Sequence, residues 1–161
     1  MPNPSSKLRS DPSASARIVS SVKALLNWWR PNKSLPVHLE RGRLGEDAAR
    51  TYLGRRGLKF LAANYEGRGG EIDLVFRDGE CLVFVEVKAR TAGSWTRPAA
   101  AVDEAKRRRV SRTALDYLAE IGNPRVKFRF DIVEVMLEGN AVQELRHLPD
   151  AFPLHRHYRY V

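Results

Sequence analysis

Apolar and polar residues recur with two different periods along the chain, and the changes of period divide it into elements. The string RGRLGEDAARTYLGRRG has apolar side chains at helical spacing and ends on a glycine after two arginines, as a helix C-terminus prefers. EIDLVF and ECLVFVEVK read as strands, and Asp78-Gly79 between them is a hairpin signal. The predicted elements are a helix over 41–57, strands over 58–65, 71–76 and 80–88, a helix over 102–121, and strands over 127–137 and 141–148. This order predicts an α/β domain.

The first 36 residues differ in composition from the rest. They contain six basic residues and one acid, with serine and proline concentrated near the start, which is typical of a flexible segment. Apolar residues at helical spacing predict a short amphipathic helix near 17–30. We therefore expect a basic N-terminal arm over 1–36 and a folded domain over 37–161. The arm could pack on the domain, bind another protein or lie on a membrane surface, and its composition also resembles that of an organellar transit peptide.

Charged residues interrupt the most apolar strand. In VFVEVKAR, residues 83–90, side chains alternate between the two faces of a sheet, so Phe84, Glu86 and Lys88 project together. A buried charge is costly unless it is paired or binds a cation. The strand therefore either leaves the core at this point or carries charges that have a function.

The predicted hairpin brings further acids to this face. If Asp78-Gly79 forms a two-residue turn, Asp73 pairs with Phe84, and Asp73 and Glu86 become diagonal neighbours about 7–8 Å apart at the backbone. Glu71 then lies on the same face. The opposite face becomes a continuous apolar layer of Ile72, Leu74, Phe76, Cys81, Val83, Val85 and Val87.

Carboxylates that are crowded together repel one another unless a proton or a cation relieves the repulsion. Mg²⁺ binds oxygen ligands, usually one or two carboxylates completed by water and substrate phosphate. Beside such an ion, Lys88 could hold a phosphate oxygen or orient the attacking water. The structural alternative is a solvated face on which Glu86 pairs with Lys88, or Glu71 pairs with Arg90.

Charge and composition indicate the class of partner. The net charge is +9, from 28 basic and 19 acidic residues, and this basic balance favours nucleic acid as a partner. The single cysteine, Cys81, is read as core filling in a reducing compartment. Without an apolar run long enough to span a bilayer or a secretory signal pattern, the sequence predicts a cytoplasmic protein.

The string GEIDLVFRDGECLVFVEVKAR resembles the PD-(D/E)XK nuclease signature, an Asp on one strand followed by Glu-x-Lys on the next. More closely, LGEDAA, GEIDL and VFVEVKAR together resemble the YraN-like family, which is grouped with Holliday-junction-resolvase-like endonucleases, over about residues 40–148. The resemblance implies a restriction-endonuclease-like core, a mixed sheet flanked by helices. It also implies Mg²⁺ or Mn²⁺ at Asp73 and Glu86, with Glu46 of the first helix as a further ligand, and Lys88 as a catalytic residue.

A second group of residues is assigned to the substrate. Lys106 lies four residues before Val110 and so faces the sheet, where it can clamp a phosphate. Glu71 and Arg90 are further members of the site, where Glu71 can join the metal ligands or pair with Arg90 or Arg68. The residues expected to contact nucleic acid, by phosphate pairing or base stacking, are Lys106, Arg107, Arg109, Arg112 and Trp95.

The function predicted from these residues is metal-dependent hydrolysis of phosphodiester bonds in DNA. Two alternatives remain open, a non-catalytic nucleic-acid-binding or assembly module that keeps this fold, and an adaptor that docks through its N-terminal arm. Symmetric cleavage of a branched junction would require a homodimer.

Overall fold

The computed structural model describes residues 36–91 and 102–158. Its elements are α1 Val37–Arg55, β1 Lys59–Gly67, β2 Gly70–Asp78, β3 Cys81–Thr91, α2 Glu104–Glu120, β4 Lys127–Glu138, β5 Ala141–Phe152 and a short 3₁₀ helix Arg156–Tyr158. The predicted order is confirmed, and each of the five strands begins within one residue of its predicted start. The amphipathic helix predicted near 17–30 lies outside the described residues, as does Trp95. Neither described helix is long and apolar enough to cross a membrane.

The five strands form one mixed sheet in the order β1-β2-β3-β4-β5. Neighbouring strands are antiparallel except β3 and β4, which are parallel. A parallel pair needs a crossover connection, and α2 lies in the connection between these two strands. This is the expected α/β architecture, and it is consistent with a restriction-endonuclease-like core.

Apolar side chains cover both faces of the sheet, because successive residues of a strand alternate between two helices. Leu74, Phe76, Val83 and Val85 pack in one cluster with Ala49 and Leu53 of α1. Val75, Leu82, Phe84 and Phe130 pack in a second cluster with Val110, Ala114 and Leu118 of α2. The expectation of one apolar and one charged face is therefore wrong. Glu86 and Lys88 lie on the α2 face, where they come after the buried residues Leu82 and Phe84 along β3.

Three residues depart from the predicted apolar pattern. Ile72 belongs to the α2 cluster and not to the α1 face of Leu74, so β2 is irregular between them. Ile121 is exposed, because α2 ends at Glu120 and Gly122 follows with positive φ. Cys81 is only partly buried at the start of β3.

The β2–β3 hairpin turns one residue later than the sequence predicts. Asp78 pairs with Cys81, which leaves Gly79 and Glu80 as the two turn residues. Gly79 has φ +56° and Glu80 does not have positive φ, the pattern of a type II′ turn. The pairing register therefore differs by two residues from the predicted one. Because strands have a period of two, this shift changes the partners but leaves the paired residues 74–78 and 81–85 on their predicted faces.

The turn between β1 and β2 fixes α2 over the sheet. A Cβ added to Gly69 would lie 2.3 Å from the backbone oxygen of Arg109, so only glycine allows this approach. Next to it, the backbone N–H of Arg68 donates to Asp116 Oδ2 at 2.8 Å and its Nε to Oδ1 at 3.0 Å. These contacts hold the helix that carries Lys106.

Candidate active site

The site lies where the hydrogen-bonded ladder between β2 and β3 stops. The last pair is Leu74 with Val85, and the next residues in the same register are Asp73 and Glu86. Asp73 Oδ2 accepts a hydrogen bond of 2.6 Å from the backbone N–H of Val87. At this point a hydrogen bond to the Asp73 side chain takes the place of a backbone hydrogen bond between the strands, and it fixes the Asp73 carboxylate beside β3. The two acids are neighbours, and the Glu86 carboxylate acts electrostatically on Asp73.

Glu86 is the most buried acid of the site, with 4% of its side chain exposed. Its Oε1 lies 2.6 Å from Lys88 Nζ and 2.9 Å from Lys106 Nζ. Its Oε2 is buried and has no hydrogen-bond partner among the described residues. The predicted Glu86–Lys88 ion pair is present, but the solvated face proposed with it is wrong, because the carboxylate is buried.

Lys106 reaches the site from the first turn of α2. Asp103 caps this helix by accepting a 2.7 Å hydrogen bond from the backbone N–H of Lys106. The cap and the burial of Val110 on the same side set the rotation of the helix. Lys106 therefore points at the sheet, as its spacing from Val110 predicts, and meets Glu86.

Glu46 approaches the site from α1, where the helix lies close to β3. A Cβ added to the buried Gly45 would lie 3.0 Å from Ala89 Cβ, so the glycine permits this contact. With its amide nitrogen turned to the acids, Asn64 of β1 donates to Glu46 Oε2 at 3.1 Å and to Glu71 Oε1 at 3.2 Å. Asn64 joins two of the predicted acids to each other.

Sequence reasoning did not identify Asn64. It has φ +51°, a left-handed conformation that asparagine tolerates better than most residues. An asparagine between apolar residues of a predicted strand, two before Glu66, was the available signal. Its role depends on the pairing of β1 with β2, which the sequence does not specify.

Burial and repulsion from neighbouring carboxylates raise the pKa values of Asp73, Glu46 and Glu71. Burial and the neighbouring Glu86 carboxylate raise the pKa of Asp73 to about 7, although the Val87 N–H and Lys106 oppose the shift. Burial and repulsion from Glu71 raise the pKa of Glu46. Desolvation and the carboxylates of Glu66 and Glu86 raise the pKa of Glu71, while Lys106 lowers it. The structure thus brings together negative charge that its own lysines only partly balance.

Comparisons with known proteins place this chain in a family. A family model described as "Uncharacterised protein family UPF0102" matches residues 45–135. The chain belongs to that family. The matched region contains the residues of the site that have been described above, which are Glu46, Asn64, Glu71, Asp73, Glu86, Lys88 and Lys106. The predicted resemblance to the YraN-like family is confirmed.

Individual relatives of this UPF0102 protein are similar over most of their length. A UPF0102 protein of Geobacter metallireducens is 44% identical over 123 residues, which are 76% of this chain and 95% of the relative. A UPF0102 protein of Syntrophotalea carbinolica is 44% identical over 71% of this chain and 92% of its own. One from Rhodococcus jostii is 37% identical over 71% of this chain and 98% of its own. Their names state the family and no activity.

Two arginines of this UPF0102 protein have partners other than the predicted ones. Arg68 binds Asp116, and Arg90 Nε lies 3.7 Å from Glu134 Oε1. The predicted alternative in which Glu71 pairs with Arg90 or Arg68 is therefore wrong. Glu134 was missed by sequence reasoning, although an acid within the apolar strand of β4 was the signal.

The arginines of α2 divide into anchored and exposed ones. Arg107 donates from Nε to the backbone oxygen of Val102 at 3.0 Å. Arg112 lies 3.6 Å from Asp116, one turn along the helix. Arg109 is exposed. The contact of these arginines with nucleic acid stays a prediction. Arg109 is the most accessible of the three to a phosphate, because it is exposed.

A second buried acid, Asp131, has a structural role. It accepts hydrogen bonds from Arg129 Nε at 3.0 Å, His147 Nε2 at 2.8 Å and the backbone N–H of Asp150 at 2.9 Å. Burial opposes ionisation, but these donors lower the pKa of Asp131. Asp131 lies between Phe130 and Ile132, where the register of β4 and β5 shifts, and its hydrogen bonds join the two strands there.

The donor atoms of the site fit a small divalent cation. Among the described residues, no three acidic, histidine or cysteine side chains are grouped as a protein-only metal cage. Mg²⁺ usually takes only one or two protein carboxylates and completes its octahedron with water and phosphate. Asp73 and Glu86 supply two carboxylates on neighbouring strands, and the buried Glu86 Oε2 has no other partner in the described part of the chain.

Proposed function

We propose that this protein is a metal-dependent nuclease that hydrolyses phosphodiester bonds of DNA. The observation that carries the proposal is the meeting of Asp73 and Glu86 across the open end of β2 and β3, with two ammonium groups on one oxygen of Glu86. Such an arrangement combines ligands for a cation with donors for a phosphate. A solely structural ion pair does not require a second lysine or a second acid.

The acids would hold Mg²⁺ or Mn²⁺, with Asp73 and Glu86 as ligands and Glu46 close enough to influence Asp73 electrostatically. A bound divalent ion supplies Lewis-acid polarisation of the phosphate and lowers the pKa of a water ligand. The hydrogen bond from Val87 N–H fixes the orientation of Asp73 before any ligand arrives. This preorganisation agrees with a catalytic use of the acid.

The lysines would act on the substrate. Lys88 Nζ, which lies beside Glu86 on the same strand face, stabilises negative charge that develops on the phosphate oxygens in the transition state. Lys106 Nζ reaches the same carboxylate from the helix and holds a non-bridging phosphate oxygen. The side chains of the two lysines are 27–29% exposed, so they are open to solvent and to a phosphate that approaches from it.

The net charge of +9 supports a polyanionic substrate. Repulsion between the acids and DNA phosphates is offset by the lysines within the site and by arginines around it. Exposed Arg108 and Arg109 lie on α2, two and three residues after Lys106. They would bind the backbone on either side of the reacting bond.

The deciding experiment is a cleavage assay on a panel of single-stranded, duplex, flap and four-way-junction DNA with Mg²⁺ or Mn²⁺, and with EDTA as the blank. Glu86→Gln and Lys88→Ala are each expected to reduce cleavage roughly 100-fold or more. Glu80→Gln and Lys59→Ala remove the same charges at exposed positions and should leave cleavage unchanged.

A non-catalytic nucleic-acid-binding module is the second candidate. It is favoured by the ion pairs that the two lysine ammonium groups form with Glu86 Oε1, which need no metal ion. If the wild-type protein binds the panel but cuts no member with either metal, the nuclease proposal is wrong and the binding module stands.

A further inference from the structure

A fully buried glutamate lies beside the candidate active site. The side chain of Glu134, on the interior strand β4, is 0% exposed. Neither of its carboxylate oxygens has a hydrogen-bond partner among the residues that the structure describes. A buried carboxylate is costly unless it is paired and hydrogen-bonded, so an acid of this kind within a core strand indicates a functional requirement.

Glu134 is the direct neighbour of Lys88. The two residues are paired in the parallel register of β3 and β4, so their backbones lie about 4.8 Å apart. Both side chains project on the α2 face, because Lys88 and Glu134 alternate with the buried Phe84 and Ile132 of that face. Lys88 therefore has Glu86 before it on its own strand and Glu134 beside it on the next.

The ion pair of Glu134 leaves this acid open to a second cation. Arg90 Nε lies 3.7 Å from Glu134 Oε1, which is longer than a hydrogen bond. This Nε is itself buried and has no hydrogen-bond partner in the described part of the chain. Arg146, which is paired with Glu134 from β5, lies 4.0 Å from the carboxylate of Glu144. Glu134 Oε2 is thus available to a further donor.

Cation binding at Glu86 requires the lysines to rearrange. Glu86 Oε1 lies 2.6 Å from Lys88 Nζ and 2.9 Å from Lys106 Nζ. A divalent cation on this carboxylate would lie close to both ammonium groups, and like charges repel strongly in a buried site. Lys106 extends from the end of a helix and can turn toward a phosphate.

Lys88 has a different way out, which the strand order determines. The sheet runs β2-β3-β4, so Asp73 lies on one side of β3 and Glu134 on the other. A cation held between Asp73 and Glu86 would repel Lys88 away from β2 and toward β4. There Glu134 offers carboxylate oxygens without hydrogen-bond donors among the described residues.

We propose that Glu134 receives the ammonium group of Lys88 when Asp73 and Glu86 bind a divalent cation. Glu134 is then a positioning residue, which contacts neither the cation nor the phosphate and holds Lys88 at the edge of the site. Without Glu134, Lys88 stays on Glu86 and competes with the cation. The inference rests on the proposed function, since it assumes that Asp73 and Glu86 are the metal ligands.

The test is calorimetric titration of the full-length protein with Mn²⁺ at pH 8 and low salt. Glu134→Gln should weaken Mn²⁺ binding about 10-fold or more, as loss of a group that orients a metal site does. In a Lys88→Met background, the same substitution should change Kd by less than about twofold, because no ammonium group is left to receive. Glu138→Gln removes an exposed acid at the end of the same strand and should leave Kd unchanged.

The outcomes separate this role from the nuclease proposal. If the wild-type protein binds Mn²⁺ and Glu134→Gln binds it equally well, the role of Glu134 is wrong while the proposed function stands. An equal loss with and without Lys88 would also overturn it, because Glu134 would then act on the cation by simple charge attraction. If the wild-type protein takes up no Mn²⁺, alone or with DNA, both proposals fail together.

A second measurement requires no substitution, so it decides the result even if Glu134→Gln does not fold. In a crystal structure of the wild-type protein with Mn²⁺, Lys88 Nζ should lie about 2.7–3.2 Å from an oxygen of Glu134. It should also have left Glu86 Oε1. A lysine that remains on Glu86 beside the bound ion would overturn the proposal.

Discussion

Lys106 Nζ and Glu86 Oε1 lie 2.9 Å apart, although one residue begins a helix and the other lies within a central strand. Lys106 belongs to the helix that connects β3 to β4, so its contact with Glu86 depends on the packing of α2 against the sheet. Lys88 Nζ lies 2.6 Å from the same oxygen. One carboxylate oxygen therefore carries a local and a long-range ion pair, and the two lysines can be distinguished by mutation.

Replacement of Lys106 by methionine should shift the pH dependence of cleavage to higher pH. Lys106 lowers the pKa values of Asp73 and Glu71, so its removal raises both. Activity that requires ionised Asp73 rises with pH through that pKa, and the rise moves upward with it. The measurement is kcat/KM against pH, with exposed Arg108→Met as the control. An unshifted profile would show that Lys106 does not act on these acids.

Metal-free protein should become more stable as the pH falls from about 7 toward 4. The pKa of Asp73 is raised from its ordinary value of 3.8 to about 7, so the native state binds more protons than the unfolded state across this window. Stability therefore rises as Asp73 is protonated. Asp73→Asn should stabilise the protein at pH 8 by roughly 2–4 kcal/mol and reduce the pH dependence. Urea unfolding at pH 5 and pH 8 in EDTA measures both effects.

Exposed Asp47→Asn is the control for this comparison, and it should change stability by less than about 0.5 kcal/mol. A wild-type protein that loses stability between pH 7 and pH 5 would contradict the raised pKa of Asp73.

Replacement of Asn64 by aspartate should weaken the metal-free fold and increase its dependence on divalent cations. The amide donates to Glu46 and Glu71, and an isosteric carboxylate would instead repel both. We expect a loss of roughly 1–3 kcal/mol at pH 8, a smaller loss at pH 5, and recovery with Mg²⁺ or Mn²⁺. Thermal unfolding with and without the cation measures this. A variant as stable as wild type at pH 8 would show that Asn64 does not bridge the two acids.

Gly69→Ala should destabilise the domain, because the new methyl group would lie 2.3 Å from the Arg109 backbone oxygen. The turn or α2 must move, at a cost of roughly 1–3 kcal/mol. Gly54→Ala is the matched control: it lies in α1 with nothing within 4 Å of its added Cβ, and it should stabilise by about 0.5–1 kcal/mol. The two substitutions are the same chemically and are expected to have opposite signs in denaturant unfolding.

Periodicity determined the elements and the faces of the strands. Asp73, Glu86 and Lys88 could be assigned to one neighbourhood because a strand alternates every two residues, and an error of two residues in register does not alter faces. The turn itself was misplaced, since an Asp-Gly pair marks a turn but does not say whether glycine takes its first or second position.

The order of helices and strands, the acidic and basic residue types, and their alternation along β3 were set by the sequence alone, because they depend on neighbours a few residues apart. Only the tertiary structure decided where the β2–β3 ladder ends beside Asp73 and Glu86, the Asn64 bridge, the position of Ile72 and the pairing of Arg90 with Glu134. Each depends on which distant strands pair and in what register. The strand pairing and register are set by the packing of two helices on opposite faces of one sheet. The packing energy is summed over the whole domain, so a local sequence pattern does not reveal it.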